Sequence, residues 1–324
     1  MPTAPGKLLS VRNLVVRYGR ARSGRQGVTA VRDVSMDVAP GQIHALVGES
    51  GSGKTSLARA ILRLLPIESG QIWLHGQDLA ALDGRELRQA RRSIQAVFQD
   101  PLAALSPRRT VLQTLLEPLD HFRIGAAAER SERAIAALET VGLDAPLRNR
   151  FPHELSGGQR QRVSLARALV SEPDLIIADE PLSSLDLSAR ARIIDLMREL
   201  RERLGLAFLF VSHDLSVVRQ LADDVAVMYL GQLVERAKAP RLFANPAHPY
   251  TRSLLASIPV PDPGHPRPTV VAGEPPSALT PPAGCVFHRR CPDRIDRCKT
   301  EAPDETYVST AGPNHRVRCH LCKP

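Results

Sequence analysis

Over the first 240 positions, short aliphatic runs alternate with amphipathic stretches. Six runs predict strands: KLLSVRNLVV at 7–16, IHALVG at 43–48, IQAVFQ at 94–99, DLIIAD at 174–179, AFLFVS at 207–212 and DVAVMYLG at 224–231. IHALVG, DLIIAD and AFLFVS are apolar on both faces, the pattern of strands buried within a parallel sheet. Helical spacing predicts helices over 53–64, 129–141, 157–171, 188–204 and 214–221. Strands alternating with helices give an α/β layered domain with a mostly parallel sheet. Residues 100–165 break the alternation and read as a helical subdomain inserted into that sheet. After about residue 240 the chain turns proline-rich (NPAHPYTRSLLASIPVPDPGHPRP, EPPSALTPPAG) and is expected to form no long regular element. No internal repeat is present, so the α/β unit occurs once.

Composition narrows the class. Among 324 residues, 43% are hydrophobic and 24% charged, ordinary for a globular chain with a real core. No run of eighteen apolar residues exists to span a bilayer, and the N-terminus lacks the apolar centre of a signal peptide. A cytosolic chain is the expectation. The formal charge of +9 invites a nucleic-acid reading, but the 43 Lys and Arg are dispersed, with no block of five or six. A solvated surface, or one facing an anionic membrane, accounts for them as well.

The densest chemistry lies in HALVGESGSGKTSLARAIL. From Gly48 through Glu49, Ser50, Gly51, Ser52, Gly53, Lys54 and Thr55 to Ser56, it fits a phosphate loop between a strand and a helix. Glycines let backbone N–H groups turn toward phosphate oxygens, and the helix N-terminus adds partial positive charge. Lys54 would reach the β- and γ-phosphates and the Thr55 hydroxyl would ligate Mg²⁺. A second buried strand, LIIADEP, ends in Asp179 and Glu180, which can divide their work: Asp179 in the Mg²⁺ shell, Glu180 polarising the attacking water. A third motif, HELSGGQRQRVSLARAL at 153–169, opens a helix with Ser156, Gly157, Gly158 and Gln159, expected to be uncapped and so a second anion site. SLD at 184–186 and SHD at 212–214 follow.

Together these motifs resemble the ATP-binding subunit of ABC transporters, over nearly the whole chain. The resemblance implies a P-loop NTPase cassette: a RecA-like parallel sheet core, an antiparallel β subdomain and an inserted helical subdomain at about 100–165, filling residues 1–245. It implies that Tyr18 stacks on adenine and that Gln99 senses Mg²⁺ and the attacking water and couples to membrane subunits. Ser156 to Gln159 would close over ATP held by the opposite subunit, Asp186 would communicate across that dimer, and His213 would be the switch at the γ-phosphate. One cassette cannot complete a site alone, so the active form must be a dimer, with a second ATPase subunit of a different or the same kind. Members acting on DNA or in translation carry a long heptad insertion or two cassettes, neither present here. They leave a non-transport ATPase acting on nucleic acid as the alternative.

FQDPLAALSPRRTV, MYLGQLVE and NPAHPYTRSLLASIPVPDP resemble the oligopeptide/dipeptide importers, and YLGQLVE with IPVPDP the F-type subunit. That branch implies two transmembrane permeases, an extracytoplasmic binding protein that chooses cargo, no nucleic-acid partner, and residence on the cytoplasmic face of the membrane. One departure is SSLDLS, where the family more often has SALDVS.

All five cysteines lie beyond residue 284, within an expected extension over 246–324. Their spacings are Cys285-x5-Cys291-x6-Cys298-x20-Cys319-x2-Cys322, and only the last pair suits structural zinc. Wide spacing is tolerable for an iron–sulfur cluster. The tail also resembles the family's C-terminal extension, which implies a four-iron, four-sulfur cluster on Cys285, Cys291, Cys298 and Cys319. Zinc and free thiols remain open. A metal would supply folding energy that so apolar-poor a tail lacks.

Overall fold

All six expected strands form in the structure, a computed structural model that describes residues 6–19, 27–258, 273–308 and 314–322. The proline-rich PVPDPGHPRP at 259–268 lies outside the described residues. In chain order the elements are β1 (Leu9–Tyr18), β2 (Val28–Val38), β3 (Ile43–Val47), α1 (Lys54–Ile61), β4 (Ser69–Leu74), β5 (Gln77–Asp78), α2 (Gly84–Arg92) and β6 (Ile94–Val97). Then come α3 (Pro101–Ala104), α4 (Val111–Phe122), α5 (Arg130–Thr140), α6 (Gly157–Leu169), β7 (Leu175–Asp179), α7 (Leu187–Leu204) and β8 (Ala207–Ser212). The remainder is α8 (Leu215–Leu221), β9 (Asp224–Tyr229), β10 (Gln232–Lys238), α9 (Ala239–Ala244), α10 (Pro249–Ala256), α11 (Arg297–Thr300), β11 (Thr306–Tyr307) and β12 (Arg316–Val317). No helix among the described residues is long and apolar enough to cross a membrane.

The chain divides into two compact units. One holds Trp73–Val211 with short pieces at Leu9 and Val38–Gln42; the other holds Ser10–Asp37, Ile43–Ile72 and the chain from Ser212 onward. In the first, β6, β7 and β8 pair in parallel, with Ile177 opposite Ala96 on one side and Leu209 on the other. β7 and β8 are buried along their whole length, as their unbroken apolar runs require. α4, α5 and α6 pack against one another within 100–165. Thr110 and Gln113 form a capping box that starts α4.

In the second unit the strand order is β11-β12-β10-β9-β3, with β3 parallel to β9 and the rest antiparallel. β2, β1 and β4 lie side by side in another sheet. β2 escapes the hydrophobic pattern because its phase breaks: Val31 and Val34 are both buried although three apart. Asp33 between them takes a left-handed conformation (φ 52°), and Asn13 in β1 does likewise (φ 47°). The Asn13 side-chain amide donates to the Asp33 carboxylate at 2.7 Å, fastening the two irregularities together.

The proline-rich region holds more order than its composition predicts, because its prolines open helices. Pro240 and Pro249 stand in the first turns of α9 and α10, where a missing N–H breaks no helical bond. The tail is also fastened by its own contacts. Strand β12 pairs with β10 (Val317 opposite Glu235), and Arg318 N–H donates to the Val234 carbonyl at 2.8 Å. Phe287, 1% exposed, packs against Tyr229, Tyr250 and His248 at ring separations of 5.2, 5.3 and 5.7 Å. The buried Glu235 carboxylate accepts from Ala247 N–H (2.7 Å), His248 N–H (2.9 Å) and His315 Nε2 (2.6 Å), tying two parts of the tail to one strand.

Candidate active site

The loop from Gly48 to Ser56 joins β3 to α1, and its glycines are demanded by close approach. Gly48 has φ 153° and a Cβ there would stand 2.2 Å from the Met228 carbonyl oxygen. Gly53, at φ 107°, would place one 2.3 Å from the Ala30 oxygen. The loop thus threads between the end of β9 and the start of β2, and Gly231 N–H holds the Ser52 carbonyl at 2.8 Å. α1 starts at Lys54 with no side-chain cap on Gly53. Lys54 is only 5% exposed, and its ammonium donates to the Gly48 and Glu49 carbonyls at 2.8 and 2.9 Å, curled into the loop it serves. Thr55 and Ser56 follow in the first turn. The Tyr18 hydroxyl donates to Ser56 Oγ at 3.0 Å while the residue stays 39% exposed, which leaves its ring available for stacking. Arg17 and Gly19, its neighbours, line a cleft of about 1040 Å³. His213 is exposed beyond the end of β8, next to Asp214, which caps α8. All of these residues belong to the second unit.

The first unit carries the other candidates. Asp179 is buried at the last position of β7, and Glu180 follows in a left-handed conformation (φ 48°) with its N–H on the Val211 carbonyl at 2.9 Å. That conformation costs about 1–3 kcal/mol in a non-glycine residue, a strain that collects at functional positions. Gln99 is exposed just past β6. Ser156, Gly157, Gly158 and Gln159 open α6, but the helix is capped, contrary to the sequence reading. Ser156 Oγ accepts from Gln159 N–H (3.2 Å) and Gln159 Oε1 from Ser156 N–H (2.9 Å), a reciprocal box that S-x-x-Q announces in the sequence. Asp186 caps α7: hydrogen bonds from Ala189 N–H and the Ser188 hydroxyl, both 2.9 Å, hold its carboxyl below the usual range. The signature turn and Asp186 line one cleft of about 380 Å³, together with Arg162 and Arg192. Two guanidinium groups beside a helix N-terminus make this cleft suited to an anion. The two arginines were legible only as helix periodicity from Gln159 and as the first turns of α7.

Among the described residues no three of His, Cys, Asp and Glu converge to hold a metal ion. Burial pushes the Cys285 thiol up to about 11 and raises Cys291 as well, and Cys291, Cys298 and Cys319 stand close enough to Cys285 to add to its shift. Cys319 is pulled down to about 6 by a hydrogen bond from Cys322, whose own thiol is raised by that bond. The described geometry gives no support to the four-iron, four-sulfur cluster expected on Cys285, Cys291, Cys298 and Cys319, or to zinc. Sequence reasoning missed two tail residues that do reach the nucleotide loop: Tyr250 Oη accepts from Glu49 N–H at 2.9 Å, and Arg290 pairs with the Glu49 carboxylate at 2.7 and 3.0 Å.

Comparison with known proteins agrees with this layout. Residues 31–183 match the family model of the ABC transporter, and 234–298 that of the oligopeptide/dipeptide transporter, C-terminal region. A putative peptide import ATP-binding protein of Brucella ovis is 49% identical over 313 residues, 96% of this chain and 97% of the relative. The oligopeptide transport ATP-binding protein AppF of Bacillus subtilis is 46% identical over 94% of this chain and 93% of its own length. Among solved structures, cbiO1 from Clostridium perfringens, part of the ABC transporter complex cbiONQ, superposes with a TM-score of 0.65 at 28% identity over 74% of this chain and 92% of its own. The ATP-binding cassette MJ0796, dimeric and bound to ADP and Pi, superposes at 0.64 with 29% identity over 71% and 98%.

Proposed function

Since the chain belongs to the ATP-binding subunits of ABC transporters, in the oligopeptide/dipeptide branch, we propose that it hydrolyses MgATP to power import of oligopeptides, dipeptides or related solutes. The observation that carries the reading is the phosphate loop with Lys54 buried inside it, on a chain alike from end to end to peptide import subunits. The residue types suit the nucleotide: Gly48 and Gly53 let the loop take a path no other residue allows, and Thr55, Asp179 and Gln99 carry the hard oxygens Mg²⁺ prefers and would hold it. Bound Mg²⁺ would neutralise charge on the terminal phosphates.

In this reading residues 1–245 are the ABC domain and 246–324 the transporter-type extension. Tyr18 stacks on adenine; Gly48 to Ser56 cradle the phosphates; Glu180 is the general base; and His213 and Gln99 sense the γ-phosphate and the water. Ser156 to Gln159, with Asp186, act on nucleotide held by a partner cassette, which the anion-suited cleft supports. The active form is therefore a dimer, paired with a different ATPase subunit in the F-type reading. It works with two permeases and an extracytoplasmic binding protein on the cytoplasmic face of the membrane. Closing two cassettes on ATP and parting them after hydrolysis is the mechanical step; cargo never touches this chain.

Glu180→Gln is expected to abolish turnover while leaving ATP binding within a few-fold of the parent. Unchanged turnover would remove Glu180 as the base. ATPase activity stimulated by DNA, and not by permeases, would favour the nucleic-acid alternative.

A further inference from the structure

Every polar group of Glu49, a loop residue, is held within the second unit. Its carbonyl accepts from Lys54, its N–H donates to Tyr250 Oη, and its carboxylate meets both terminal nitrogens of Arg290 at 2.7 and 3.0 Å. The pair is deep: the Arg290 side chain is 6% exposed and that of Glu49 25%. Arg290 also stands 5.8 Å from the Tyr229 ring centroid and donates to its hydroxyl at 3.5 Å. Burial alone would pull its guanidinium down, but the bonds to Glu49 and Tyr229 more than offset that, and the charge is kept. The arginine arrives by a turn that Phe287 anchors, with Arg290 N–H on the Phe287 carbonyl at 3.0 Å. The same tail places Pro275, Pro276 and Ala278 beside Glu49, Ser50 and Gly51.

A carboxylate inside a loop that receives a polyphosphate opposes its own ligand unless a cation cancels it. Lys54, in the loop itself, is directed at the Gly48 and Glu49 carbonyls, and Arg290 pairs with the Glu49 carboxylate. We propose that Arg290 is a positioning residue for nucleotide binding. By neutralising Glu49 and fixing its side chain away from the phosphates, the C-terminal extension sets the affinity of the phosphate loop. The inference rests on the ATP-site reading above and adds a residue that lies some 240 positions away from the loop.

The test uses the full chain, titrated with MgADP for Kd and assayed with its transporter partners for the KM and kcat of MgATP. Arg290→Ala is expected to raise Kd and KM about tenfold or more, with kcat within about threefold, the weakening expected of an uncompensated charge beside a bound anion. The double variant Arg290→Ala with Glu49→Gln leaves no orphaned charge, and its Kd is expected to lie at least about threefold below that of Arg290→Ala. It also keeps the proposal testable should the single variant fail to fold. A folded Arg290→Ala protein with unchanged Kd and KM overturns the proposal, and so does a double variant as weak as the single one. Lys54→Ala separates the two claims: if it still binds MgADP like the parent, the phosphate-loop reading itself is wrong.

Discussion

Glu235 offers the sharpest test of how the tail is held. Its side chain has no solvent exposure, and its two oxygens serve three donors: Oε1 takes Ala247 N–H and His315 Nε2, and Oε2 takes His248 N–H. Glu235→Gln keeps the shape but turns one oxygen into a donor. In the best orientation the amide oxygen occupies the Oε1 position, and the NH₂ then faces the His248 N–H. One charge-assisted bond is lost and one buried donor is orphaned, a cost of about 2–4 kcal/mol. Glu235→Ala orphans all three donors and should cost about 3–5 kcal/mol, the range for breaking a buried charged pair. Denaturant unfolding measures both losses, and limited proteolysis should find the segment around β12 cleaved faster than the rest. A Glu235→Gln protein within about 0.5 kcal/mol of the parent would refute the network as a main fastening of the tail.

Three further outcomes are expected. Burial lowers His44 and His248 to about 4, so the folded protein stays unprotonated at these sites while the unfolded chain binds protons below about 6.5. Stability is full above pH 6.5 and falls as pH drops toward 4, by up to about 2 kcal/mol per histidine at pH 5; Tm between pH 7.5 and 5 checks this, and His44→Leu should flatten the slope. Gly53→Ala combines φ 107° with a 2.3 Å clash against the Ala30 oxygen, so nucleotide binding should be lost in direct titration and the melting point lowered. Asp186→Ala removes the α7 cap and should lower the melting point slightly. If the residue also serves a dimer, ATPase activity will fall well beyond what that loss explains.

What the sequence revealed followed from how local the determinants are. β3, β7 and β8 announce themselves because both faces are buried and the apolar run is unbroken. The phosphate loop is legible because glycine spacing, lysine and flanking elements sit within twenty residues. β1 and β2 were harder: Asn13 and Asp33 reverse the alternation, so a period-two reading loses β2. The contacts that hold the tail were not legible for a different reason. Its cysteines are conspicuous in sequence, whereas the groups that hold it, Glu235 with His315 and Glu49 with Arg290, lie 80 and 241 positions apart. No local pattern joins them; only the fold does.

The order β10-β12-β11 has a consequence for solubility. Without β12, strand β10 would present the backbone groups from Val234 to Arg236 along an open margin, with Leu233 beside them. Such a margin is a template on which another chain can build cross-β pairing. The strands that cover it are two residues long each, too short to extend the sheet further into a neighbour. A chain ending before residue 315 would therefore tend to aggregate even with its nucleotide loop correctly formed.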